Sequence, residues 1–125
     1  MVDCLLDSSV LVDLLRGYEM AQTWIASQNN PGVSRVVWLE VIEGALDKND
    51  QRQALRLLNQ FELVEMMVED FEWATRRLIR FNLSHNVEAM DCLIAAPSQR
   101  LQLPLYTPNM KHFVPLLGAL ARQPY

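Results

Sequence analysis

The sequence predicts an α/β fold, a three-layer α/β/α sandwich whose central parallel sheet has four or five strands. Three observations carry this prediction. Short apolar runs alternate with segments of helical spacing along the chain, the pattern of successive strand–helix units and hence of a parallel sheet covered on both faces. Half of the 125 residues are hydrophobic and no Gly-, Pro- or Ser-rich linker interrupts them, so a single domain over residues 1–125 with one core is expected. The first apolar run ends in Asp7-Ser8-Ser9, polar residues that cap a helix entered directly from a strand.

The elements follow in order. Residues 2–6 read as a first strand and 9–16 as a helix closed by Gly17, which can take the left-handed conformation after a helix end. A second helix is expected from about Glu19 to Ser27, then a turn at Asn29-Asn30-Pro31-Gly32 and a short strand at 32–34. A helix carrying Glu40 is expected from Arg35 to Leu46, and Asp47-Lys48-Asn49-Asp50 breaks the pattern. Ala54, Leu55, Leu57, Leu58 and Phe61, and again Phe71, Ala74, Leu78 and Phe81, recur at helical spacing around a third strand at 62–64. Asn86 is expected to cap the helix carrying Asp91, and that helix to kink or end near Ala96 because Pro97 removes a hydrogen bond. Residues 103–106 read as a fourth strand, and residues 114–125 offer no obvious last strand, leaving a sheet edge missing or completed by a partner.

Composition narrows the function. No apolar stretch approaches the roughly 20 residues of a membrane span and residues 1–3 carry no basic leader, so a cytoplasmic protein without membrane contact is expected. Cys4 and Cys92 sit in apolar sequence without the spacing of a zinc or redox pair, as reduced core thiols do. A net charge of −4 argues against a general nucleic-acid coat protein but not against a nuclease. An enzyme holding Mg²⁺ concentrates negative charge in its site and needs only a local basic rim, for which Arg35, Lys111 and His112 are candidates. Arg76, Arg77 and Arg80 read as a solvated helix face, Asp13 as the outer face of the first helix, and the three tryptophans as core or interface.

Three carboxylates stand out because their neighbours are apolar: Asp7 at a strand's carboxyl end, Glu40 in Val36-Val37-Trp38-Leu39-Glu40-Val41-Ile42, and Asp91 in Ala89-Met90-Asp91-Cys92-Leu93-Ile94. Burying three carboxylates is costly unless they share a cation. A parallel sheet points its carboxyl ends one way, where such folds bind ligands, so these acids and Thr107-Pro108-Asn109 can converge there.

Taken in order and spacing, Asp7 to Gly17, Trp38 to Ala45, Asp91 to Ala96 and Thr107 to Phe113 resemble PIN-domain proteins, particularly the VapC-type toxins of bacterial and archaeal toxin–antitoxin pairs. The resemblance spans residues 2–113. It implies a Mg²⁺- or Mn²⁺-dependent endoribonuclease, usually a homodimer, silenced by a small antitoxin that lays a peptide across the acidic site. Carried onto this chain, Asp7, Glu40 and Asp91 are the catalytic, metal-binding acids, Asn109 an auxiliary ligand, and Ser8, Ser9 and Thr107 supporting residues. The chain departs from the family where Asn109 stands at a position often holding a fourth acid and where His112 replaces a further acid of some members. The alternative is a catalytically weak or inactive PIN-like protein that binds RNA or protein. A phosphoacceptor receiver fits poorly with Glu40 and Asp91 on helices, and a haloacid-dehalogenase-type phosphatase needs an Asp where Ser9 stands.

Overall fold

In a computed structural model describing residues 1–125, five strands form one parallel sheet: β1 (Cys4–Leu6), β2 (Pro31–Ser34), β3 (Glu62–Val64), β4 (Leu105–Tyr106) and β5 (Ala121–Arg122). Their order is β3-β2-β1-β4-β5. Helices α1 (Ser8–Leu15), α2 (Glu19–Ala26), α3 (Arg35–Glu43), α4 (Lys48–Leu58), α5 (Val68–His85), α6 (Ala89–Leu101) and α7 (Met110–Leu117) link the strands, with one 3₁₀ turn at Gly118–Leu120. No helix is long and apolar enough to cross a membrane. β1 is central and fully buried, as its continuous apolar run requires. Leu5, Leu6, Val33 and Leu105 of the sheet pack with Val10, Leu11, Val37 and Phe113 of the helices in one core.

Chain order places the site. The chain winds from β1 through β2 to β3 on one side, then crosses to β4 and β5 on the other, so the strand order switches direction between β1 and β4. Leu6 pairs with Tyr106, which sets Asp7 beside Thr107 at the carboxyl ends of these two strands. Such switch points open a crevice in doubly wound sheets.

Several local expectations are corrected. The sheet edge is complete: β5 pairs with β4, and Thr107 N–H donates to Arg122 C=O at 2.9 Å. Two residues, Ala-Arg, are too short and too mixed to show a strand's pattern. Asp47 does not break a helix but caps α4, accepting from Asp50 N–H at 2.8 Å, and α3 ends at Glu43 rather than Leu46. Asn86 ends α5 in the left-handed conformation at φ 55° instead of starting α6, a conformation Asn tolerates better than most residues. Glu88 takes the N-cap, and its N–H donates to the Asp91 carboxylate at 3.0 Å. Pro97 does not end α6, which runs on to Leu101. Ile94, Ala95, Ala96 and Pro97 are all buried there, and tertiary burial outweighs the loss of one helical hydrogen bond. Asp13 is not on a solvated face: half-buried, it accepts the Tyr125 hydroxyl.

Cys4 and Cys92 are free, buried thiols, as expected. Burial pushes them up to about 12 and about 11, with help from the Asp3 and Asp91 charges respectively. They are core residues without thiolate reactivity at neutral pH.

Candidate active site

Asp7 is 5% exposed and is positioned from three directions. As N-cap of α1 it accepts Ser8 N–H at 2.7 Å on Oδ1, while Oδ2 accepts the hydroxyls of Ser9 at 2.8 Å and Thr107 at 2.7 Å. Thr107 is fully buried, and its Oγ1 also accepts Asn109 N–H at 3.0 Å. One hydroxyl therefore ties the end of β1 to the start of α7. The cap and the ligand readings of Asp7 are compatible, because the cap engages one oxygen and the hydroxyls steer the other.

Asp91 enters from the first turn of α6, and its Oδ2 lies 3.1 Å from His112 Nδ1. Burial raises its pKa above the ordinary aspartate value; Glu88 N–H and His112 pull it back, and the charges of Glu88 and Asp7 push it up again. Asp7 and Asp91 thus feel each other. With a raised folded-state pKa, the folded chain holds this proton more tightly than the unfolded chain does. Stability is then favoured at low pH, falls as pH rises through the folded pKa, and stays reduced at neutral pH. Asp91→Asn should accordingly raise the melting temperature at pH 7 in chelator, with the gap closing toward pH ~4, where the unfolded carboxyl is protonated too. A lower melting temperature at pH 7 would contradict this account.

Glu40 lies one and a half turns into α3, which Ser34 caps through Val37 N–H at 3.3 Å. Its Oε1 is buried and has no hydrogen-bond partner. With Ser8, Arg16, Asp50 and Gln53 it lines a cleft of about 400 Å³ between α1, α3 and α4. A buried carboxylate oxygen left without a donor is costly, and the cost is unexplained by any protein group.

The site brings together Asp7, Ser8, Ser9, Asp91, Thr107, Asn109 and His112, with Glu40 at its cleft side. No three His, Cys, Asp or Glu side chains close on a single point as placed. Mg²⁺ keeps several waters and takes only one or two carboxylates from protein. The donor set of hard oxygens, one of them orphaned, fits such an ion. Neither Asp7 nor Glu40 is in an ion pair, the salt bridges being Arg35–Glu65, Arg100–Asp70 and His112–Asp91.

Of the expected basic rim, Arg35 is exposed and ion-paired with Glu65, and Lys111 is exposed on α7. Arg77 lies over the Trp73 ring at 5.2 Å and Arg80 over Phe81 at 5.4 Å, which makes that cluster part of the α5 face. Sequence reading missed the Asp70–Arg100 pair, since the partners are 30 residues apart and neither stands in an unusual local pattern.

The sheet has its switch point between β1 and β4, with Asp7, Thr107 and, through His112, Asp91 gathered there. The chain belongs to the PIN-domain family, whose model matches residues 4–109. It is 34% identical over 113 residues to Ribonuclease VapC10 of Mycobacterium tuberculosis, covering 87% of this chain and 84% of that protein. The fold is shared with a toxin–antitoxin complex from Klebsiella pneumoniae, at a TM-score of 0.76 and 23% identity over 98% of each chain. It is also shared with DNA-bound VapBC from Salmonella typhimurium, at a TM-score of 0.73 and 16% identity over 90% of this chain and 91% of that one.

Proposed function

We propose that this protein is a divalent-metal-dependent endoribonuclease, the toxin of a toxin–antitoxin pair acting in the cytoplasm. The observation that carries the reading is the buried Glu40 oxygen lacking any partner, beside the carboxylate Asp7 held at the β1–β4 switch point without an ion pair. The relative named as a ribonuclease supports the substrate class. Asp7 and Asp91 would hold Mg²⁺ or Mn²⁺ directly, Asn109 as an auxiliary ligand. When bound, the ion lowers the pKa of a water and neutralises charge on the phosphoryl oxygens. Glu40, reaching through water, orients the nucleophile. Ser8, Ser9 and Thr107 fix the Asp7 carboxylate, and Lys111 stands at the rim where an RNA phosphate would approach.

The test reads the cut ends of a labelled RNA. Hydrolysis by an activated water leaves a 5′-phosphate and a 3′-hydroxyl. A 2′,3′-cyclic phosphate would mean attack by the RNA's own hydroxyl and would sink the metal-assisted reading. Folded protein that binds RNA without cutting it would favour the binding-only alternative.

We further propose that the protein acts as a homodimer packed through α5. Leu11 is core and Leu14 and Leu15 pack against it, so their apolar surface is already engaged within the chain. On α5, by contrast, Val68, Phe71, Ile79 and Leu83 are all at least half exposed and, spaced by three, eight and four residues, share one side of the helix. Glu69 and Glu72 flank the first half of this stripe and Arg76 and Arg80 the second. A second α5 laid antiparallel across a two-fold axis therefore sets acids against arginines while burying both stripes. Ile79→Glu with Leu83→Glu should convert a dimer into a monomer by light scattering, with the circular dichroism spectrum unchanged. An unaltered dimer mass would place the interface elsewhere.

A further inference from the structure

Arg16 and Asp50 carry opposite charges, line one cleft and do not pair. The cleft, about 400 Å³ in volume, runs between α1, α3 and α4. Arg16 stands at the end of α1 and Asp50 in the first turn of α4, and the salt bridges of the chain join other residues. Asp50 is held in place: its Oδ2 accepts Leu46 N–H at 3.3 Å, while its Oδ1 accepts from no protein group. Gln53, one turn further along α4, lines the same cleft. The remaining walls are apolar, with Val12 and Leu15 from α1, Val41 from α3, and Leu46, which is 91% exposed. An apolar slot with a few convergent polar groups is the usual form of a small-ligand site. Ser8 and Glu40 line it too, and Ser8 N–H donates to Asp7, so the cleft is continuous with the acidic site.

We propose that this cleft is a specificity pocket for a guanine base of the RNA, next to the bond that is cut. The inference rests on the ribonuclease reading of the site and adds to it the base that is read. Single-stranded RNA is recognised by splaying its bases out against side chains and hydrogen-bonding their edges. A base that bridges Arg16 and Asp50 must present acceptors to the first and donors to the second. Guanine does both: arginine takes its O6 and N7 with two hydrogen bonds, and its N1–H and N2–H₂ groups suit a carboxylate. Adenine sets an N6–H₂ donor beside N7, so arginine finds one acceptor there instead of two, and cytosine offers the carboxylate its N4–H₂ without the paired acceptors. The Gln53 amide, donor and acceptor at once, serves either edge of the bound base.

The experiment has one arm that needs neither metal nor cleavage. The ¹⁵N-labelled full chain, in chelator, is titrated with guanosine and separately with adenosine and followed by nuclear magnetic resonance. The expected result is saturable shifts of the Gln53 side-chain amide and of the Gly44 and Ala45 backbone amides, which line the cleft, with adenosine binding roughly tenfold or more weaker. Arg16→Ala and Asp50→Asn should each weaken guanosine by a similar factor; the second keeps an oxygen for Leu46 N–H and puts a donor where the free acceptor was. Arg16 is exposed, and melting curves beside wild type establish that both variants fold. In the other arm, a randomised RNA is cut and its ends sequenced: guanine should be enriched at one fixed position from the cut, and Arg16→Ala should flatten that bias. Equal binding of the two nucleosides would overturn the proposal. Metal-dependent cleavage without base bias, from a protein whose spectrum guanosine leaves unchanged, would overturn it while leaving the ribonuclease reading intact. Selective guanosine binding by a protein that cuts nothing would support the pocket and overturn the ribonuclease reading.

Discussion

Asp7→Asn should abolish RNA cleavage while leaving the protein folded. The carboxylate is the one group at which the end of β1, the cap of α1 and the start of α7 meet. Its two oxygens are divided between holding the fold and facing the site, so the isosteric amide keeps much of the first task and loses the second. Oδ1 can still accept Ser8 N–H, and the Ser9 and Thr107 hydroxyls can rotate to accept from the new amide. What disappears is the negative charge. Residues that merely support a metal ligand cost roughly 10–100-fold when removed, so a direct ligand should cost more than that. Cleavage rates at saturating Mn²⁺, beside melting curves of both proteins, check this. A variant retaining more than a tenth of the wild-type rate would remove Asp7 from the metal's coordination sphere.

Arg100→Ala should strongly destabilise the protein, although Arg100 lies away from the site. Asp70 is 1% exposed. It accepts Arg100 Nε at 2.9 Å on one oxygen and Arg100 Nη2 at 3.1 Å on the other, and also takes Met67 N–H at 2.9 Å at the start of α5. The same guanidinium reaches Glu65 C=O at 3.2 Å. One arginine near the end of α6 therefore pins the connection from β3 into α5. A buried pair is not itself a large source of stability, but removing one partner strands the other and costs about 3–5 kcal/mol. Against a total of about 5–15 kcal/mol for a domain, such a loss leaves the chain near its unfolding threshold. Urea melts should show the midpoint falling steeply at constant slope. Asp70→Asn combined with Arg100→Met, which leaves no stranded charge, should recover much of the loss. A single variant within 1 kcal/mol of wild type would mean that water reaches Asp70.

Where a residue's character is set by its immediate neighbours, it was legible from sequence. An acid closing an apolar run, as Asp7 does, or interrupting a helix's apolar spacing, as Glu40 and Asp91 do, stands out because burial makes charge conspicuous. The alternation of strands and helices was equally plain, since each element's period is local. β5 escaped because two residues have no period, and pairing with β4 alone makes Ala121 and Arg122 a strand. Pro97 misled because helix propensity is a weak prior against tertiary burial. Asn86 misled because Asn suits both the start of a helix and the left-handed residue after one, and only the position of Glu88 decides. His112 was placed among possible RNA contacts; its approach to Asp91 depends on how α7 packs against α6, which no run of neighbouring residues encodes.

The most direct test of the account is cleavage of a structured RNA pool by purified protein free of any antitoxin, assayed with Mn²⁺, with Mg²⁺, and in chelator followed by metal add-back. The account predicts cuts that stop in chelator and return on add-back of either metal. Cleavage that persists undiminished in chelator, or folded protein inert in both metals, would contradict it.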